Sequence, residues 1–158
     1  MQETTYEQLT KDQQKLLNHA TEVMETAYNP YSWFFVWSAM QTKDWKIIAW
    51  SNVENAAYGS CICAERAAIL RANAMGHREF LAIAINARWC GFDTQKVTAP
   101  CWSCRQMIFE SSEVSTHDIE IILSTTQKDK IIITSINELL PLAFGPSDLW
   151  INITSYQD

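Results

Sequence analysis

The feature that most constrains the fold is the order of its predicted elements. Thr10 and Gln13 form a capping box ahead of Leu16, Leu17, Ala20, Val23, Met24 and Ala27 at helical spacing, which predicts a helix over 10–28 ending at Asn29-Pro30. Residues 33–40 and 46–51 are aromatic and β-branched and predict a hairpin turning at Lys43-Asp44-Trp45. A helix over 63–75 stops at Gly76, and Phe80–Asn86 reads as a buried strand. A short helix over 103–110, strands Ile119–Ser124 and Lys130–Thr134, and a helix Ser135–Leu140 capped by Ser135 complete the order. An α-β-β-α-β-α-β-β-α series predicts one α/β domain over 1–158, a sheet with helices on both faces.

With 158 residues, the chain is long enough for one sizeable core. Its net charge of −6, with Arg71, Arg78 and Arg88 dispersed, argues against a nucleic-acid partner. No apolar run approaches a membrane span, and the N-terminus is polar and acidic, unlike a secretory signal. These features predict a cytoplasmic protein without a membrane role. Its five cysteines, at 61, 63, 90, 101 and 104, are then expected to be reduced.

Three of them carry the chemistry. Cys63-Ala64-Glu65 opens one predicted helix, and Pro100-Cys101-Trp102-Ser103-Cys104 opens another. Three thiolates suit Zn2+ with its fourth position left for water. Helix N-termini favour thiolates, and Arg66 and Arg105 offset their surplus charge. Glu65, beside a ligand, is placed to shuttle protons. The purely structural alternative is a closed zinc site with Cys61 as fourth ligand. Otherwise Cys61 and Cys90 are expected to be plain buried thiols. His19, His77 and His117 lack ligand spacing and are expected to be solvated. A Cys-x-Glu segment paired with Pro-Cys-x-x-Cys matches the motif of zinc nucleobase deaminases.

From Ala27 to Leu149 the chain resembles the homotetrameric zinc-dependent cytidine deaminases. The resemblance is carried by Ala27-Tyr28-Asn29-Pro30-Tyr31-Ser32-Trp33-Phe34, by Asn52-Val53-Glu54-Asn55-Ala56 and by the two cysteine segments. Glu138-Leu139-Leu140-Pro141 and Phe144-Gly145-Pro146 complete it. Blasticidin deaminases are similar at the cysteines but lack the Asn-Val-Glu-Asn segment.

The resemblance implies a three-layer α/β/α fold with a mixed five-stranded sheet. It implies Cys63, Cys101 and Cys104 as zinc ligands and Glu65 as acid/base. It places Phe34 on the pyrimidine, Asn52 and Glu54 on the ribose hydroxyl, and Ala64 among the substrate-binding residues. Ala56, Tyr58 and Phe144 reach a neighbouring subunit's site, in a homotetramer with sites at its interfaces. The resemblance further implies a small nucleoside substrate and a role in pyrimidine salvage. Zinc held by these cysteines would make water nucleophilic toward C4, and Glu65 would protonate N3 and then the departing amine. Asn52 and Glu54, two apart on an extended segment, present one face, as one sugar hydroxyl requires.

Without the family, Phe34 reads as strand core, Asn52 and Glu54 as turn and surface residues, and Phe144 as C-terminal packing. Two other functions compete with cytidine deamination: action on a modified cytosine nucleoside or related heterocycle, and an inactive zinc-structured scaffold.

Composition sharpens one departure. The chain has four Gly and seven Trp, where Gly is usually about 7%. Trp37, Trp45, Trp50 and Trp102 stand where the family has Gly. One cause covers all four: the codon UGA, one base from a Gly codon, is read as Trp under one code and as Gly under another. UGG codons at these positions would refute that origin. Trp45 in a Gly-type turn is expected to show positive φ or a different turn. An adaptive alternative has Trp37 and Trp102 reshaping the space around the departing group.

Overall fold

The computed structural model describes residues 1–157. The elements are β1 (Gln2–Thr4), α1 (Lys11–Glu22), β2 (Phe34–Thr42), β3 (Ile47–Ser51), α2 (Ala64–Ala74) and β4 (Phe80–Trp89). They continue with β5 (Phe92–Asp93), α3 (Trp102–Ser115), β6 (Glu120–Ser124), β7 (Ile131–Ser135) and α4 (Ile136–Leu139). The sheet runs β1-β7-β6-β4-β2-β3, with β5 pairing β4 at one end. Among the strands of the described residues, only β4 and β6 pair in parallel, joined by the crossover through α3. No helix among the described residues is long and apolar enough to cross a membrane.

Strand alternation builds two cores. Trp37 and Ala39 of β2, Ala82 and Ala84 of β4, and Ile122 of β6 face Leu16, Leu17 and Ala20 of α1. Met40, Ile83, Ile85 and Ile121 point the other way, toward Ala68, Ile69 and Ala72 of α2 and Ile108 of α3. These cores separate three layers, as expected. The five anticipated strands are present, and the short β1 and β5 raise the count to seven.

Several boundaries differ for physical reasons. The first helix stops at Glu22 instead of 28, and a 3-10 turn, Met24–Thr26, follows. Tyr28 then donates its N–H to the Asn52 carbonyl and accepts from the Glu54 N–H, which requires extended backbone. Helix α3 runs five residues past 110. Ser111 and Ser115 donate their hydroxyls to the carbonyls of Met107 and Ser111, so serines that look like a helix end are satisfied inside it. Ser115 also accepts the Phe80 N–H, tying α3 to β4. Strand β4 continues to Trp89 because it keeps pairing with β2 and folds back onto β5.

The four Trp expected at Gly positions fall in different environments. Trp45 lies in the four-residue β2–β3 turn at φ 65, the left-handed position for which Gly is preferred. Trp37 is fully buried, and its indole Nε1 lacks a hydrogen-bond partner. Trp50 and Trp102 are exposed, under the guanidinium groups of Arg71 and Arg105 respectively. Trp33 and Trp150, outside that set, also have positive φ. Trp45→Gly therefore relieves strain of roughly 1–2 kcal/mol, offset by the chain entropy of Gly. A net gain of about 1 kcal/mol is expected, raising the Tm by roughly 2–4 °C. A lower melting temperature would contradict the strain.

A three-thiol cavity between two helix N-termini

Helix α2 lies over β2 and β3, while α3 lies toward β4 and α4. Their N-termini flank a cavity of about 260 Å³. Cys63 is the N-cap of α2 and Cys101 that of α3, with Cys104 one turn into α3. The Cys63 and Cys101 Sγ atoms are 3.9 Å apart, and those of Cys101 and Cys104 are 3.5 Å apart. A tetrahedral zinc with bonds near 2.3 Å sets its sulfurs roughly 3.8 Å apart. The donor set therefore fits zinc in both type and spacing. Among the described residues these three form the group of His, Cys, Asp or Glu side chains able to hold a metal ion.

The electrostatics favour a thiolate. The hydrogen bond from Cys104, opposed by desolvation and reinforced by Arg66, pushes Cys63 down to about 5. Hydrogen bonding to Cys63 and burial hold Cys104 far above its ordinary value. Arg66 lies 3.9 Å from the Cys63 sulfur and donates to the Cys61 carbonyl at 2.8 Å. Arg105 is turned elsewhere, donating to the carbonyls of Pro100 and Leu139 at 2.9 and 2.8 Å. It braces the loop before Cys101 against α4, a role not evident from its spacing.

Glu65 lines the cavity at 4% exposure. Burial, with the neighbouring Cys63 adding, pushes its carboxyl up to about 7 against an opposing backbone hydrogen bond. Such a group can exchange a proton near neutrality.

Phe34, Asn52 and Glu54 line the same cavity. Asn52 accepts the Val36 N–H at 3.0 Å and donates to the Phe34 carbonyl at 2.9 Å, so its amide also fixes β2. One Glu54 oxygen accepts the N–H groups of Tyr31 and Ser32 at 2.9 and 3.2 Å. Burial raises the Glu54 pKa, but hydrogen bonding from the Ser32 side chain, together with these backbone bonds, outweighs it and holds the carboxylate below its ordinary range. Ser32, Thr98 and Ala99 also line the cavity, and no site motif marks them in the sequence. Thr98 and Ala99 precede the Pro-Cys pair, and that position was their one available signal.

Other candidates lie apart. Ala64 is buried in the first turn of α2. Ala56, Tyr58 and Phe144 are exposed and do not line the cavity. Cys61 lines the cavity and receives the Asn55 N–H, but remains outside the thiol group. The expectation that Cys61 and Cys90 are buried is corrected: Cys61 is half-buried, and Cys90 is exposed in the tight β4–β5 turn. His19 and His77 are half-buried instead of solvated, and His117 is exposed. Trp37 packs on the α1 face, and Trp102 points outward at 71% exposure. Neither lines the cavity, which removes the adaptive reading.

Three thiols and a buried carboxylate at paired helix N-termini over a mixed sheet define a zinc-dependent hydrolytic site. The chain belongs to the family described as "Cytidine and deoxycytidylate deaminase zinc-binding region", whose profile matches residues 10–117. A cytidine deaminase from Halalkalibacterium halodurans is 40% identical over 138 residues, covering 87% of this chain and 98% of the relative. A crystal structure of cytidine deaminase from Burkholderia pseudomallei matches with a TM-score of 0.75 and 40% identity, covering 86% and 100% of the two chains. The cytidine deaminase structure from Mycobacterium tuberculosis gives 0.69 and 31%, covering 86% and 99%.

Proposed function

We propose that this protein hydrolyses cytidine and deoxycytidine to uridine and deoxyuridine with release of ammonia, a step of pyrimidine salvage in the cytoplasm. The carrying observation is the lining of one cavity, in which the thiols Cys63 and Cys101 and the carboxyl Glu65 share the walls with Asn52 and Glu54. Cys63, Cys101 and Cys104 would hold zinc. When bound there, zinc supplies a Lewis acid that makes water nucleophilic at neutral pH.

The protein's own residues do the rest. Phe34 packs on the pyrimidine. The free valences of Asn52 and Glu54 take the sugar hydroxyl, and a site built on such bonds discriminates strongly against analogues lacking the group. Arg66 tempers the charge of the thiolates. Glu65 carries the water proton to ring N3, then the proton of the new C4 hydroxyl to the amine. The C4–N bond breaks, C4=O remains, and the sum is water in and ammonia out.

Exposed Ala56, Tyr58 and Phe144 fit a homotetramer in which they complete a neighbour's site. Light scattering should then give four times the 18.1 kDa chain mass. Incubation with cytidine should yield equimolar uridine and ammonia. Metal-loaded protein that forms neither would leave the inactive scaffold as the better reading.

A further inference from the structure

A second cavity, of about 400 Å³, adjoins the first and has no part in the reaction above. The two share Phe34 and Thr98 in their linings. The second is walled by aromatic rings. Phe34 lies 4.6 Å from Trp89 at 41°, and Trp89 stacks on Phe92 at 6.2 Å and 21°. Gly91, at φ 84, permits the tight β4–β5 turn that brings Phe92 back over Trp89. Trp89 and Phe92 are 40% and 63% exposed, so part of each side chain is accessible to a ligand. Gln95 and Lys96 form an exposed polar rim. An aromatic wall of this kind suits a planar apolar ring laid against it, since offset and edge aromatic contacts add to area burial.

The shape of cytosine indicates what can reach it. N1, bearing the sugar, and C4, bearing the amine, lie at opposite ends of the ring. With C4 at the thiols and the sugar at Asn52 and Glu54, two long edges remain. N3 must face Glu65, which belongs to α2. The C5–C6 edge is then turned away from α2, and the lining residues from the chain ahead of α3 are Thr98 and Ala99. Thr98, with Phe34, is where the two cavities meet.

We propose that the cavity between Phe34, Trp89, Phe92 and Thr98 is a subsite for a planar substituent at C5 of the pyrimidine, so that the protein accepts C5-aryl cytosine nucleosides. This rests on the function proposed above. The substituent is a spectator: water enters, ammonia leaves, and no bond at C5 changes.

The test uses the zinc-loaded protein with cytidine and with 5-phenylcytidine, and measures binding of the product-like 5-phenyluridine by calorimetry. The kcat/KM for 5-phenylcytidine is expected within tenfold of that for cytidine. Phe92→Ala should lower it about fivefold, as loss of one aromatic contact implies, and weaken 5-phenyluridine binding similarly. Gln95→Trp, which fills the rim, should lower it more than tenfold. Both variants should leave cytidine turnover within twofold. Normal cytidine turnover with 5-phenylcytidine more than tenfold poorer overturns the subsite and leaves the deaminase intact. Variants that affect both substrates equally overturn it as well. If cytidine itself is not turned over, the function falls first, and the calorimetry decides the subsite alone: binding weakened by Phe92→Ala supports it, and unchanged binding overturns it.

Discussion

Glu65→Gln is expected to lower cytidine turnover by about 10²–10⁴-fold, the usual contribution of a positioned acid/base, while zinc content stays at that of the parent protein. Gln preserves size and hydrogen bonding but cannot carry a proton between water, N3 and the amine. Stability should hold or rise. Burial disfavours the ionised carboxyl at this position and pushes it up to about 7, so a neutral amide removes a desolvation cost. Steady-state rates, metal analysis and a melting curve on the same preparation separate these effects. Parental turnover in this variant would show that Glu65 does not transfer the proton.

Cys104→Ser should have the other large effect. Cys104 is completely buried and points its sulfur at Cys101 from the first turn of α3. Serine is a poor zinc ligand, and two thiolates do not complete the site. Zinc content should fall well below one per chain, and turnover should drop by more than about 10³-fold. The melting temperature should fall too, because zinc no longer offsets the charge gathered at Cys63. Cys90→Ser is the control: that thiol sits exposed in the β4–β5 turn and should leave zinc content unchanged. Full zinc occupancy in the Cys104 variant would contradict the three-thiol site.

Much of this was legible in the sequence because it depends on local rules. The Thr10–Gln13 capping box and the Ser135 cap are present as read. Phe80–Asn86 forms the centre of the sheet because its alternating residues are buried on both faces. The spacing of Cys101 and Cys104 places both thiols at one helix opening, and Cys63 meets them there.

What was not legible depends on long-range pairing. Gln2–Thr4 has no strand pattern and is ordered by backbone bonds to β7. Phe92–Asp93 becomes a strand because Gly91 returns the chain onto Trp89. Periodicity places Asn52 and Glu54 on one face, but only the fold reveals that both also hold backbone N–H groups of β2 and of the preceding turn. The Arg105 contacts reach 34 residues along the chain, to Leu139, and no spacing rule anticipates them. The Gly-to-Trp departures were visible only against the family pattern, and the backbone separates them. Trp45 occupies a glycine conformation, whereas Trp50 and Trp102 rest on the surface and Trp37 fills the α1-side core.

The most direct test of the account is a zinc titration of metal-stripped protein, with uridine formation from cytidine followed in each sample. Turnover should rise in proportion to bound zinc and level off at one ion per chain. Turnover without zinc, or a fully loaded site that forms no uridine, would contradict it.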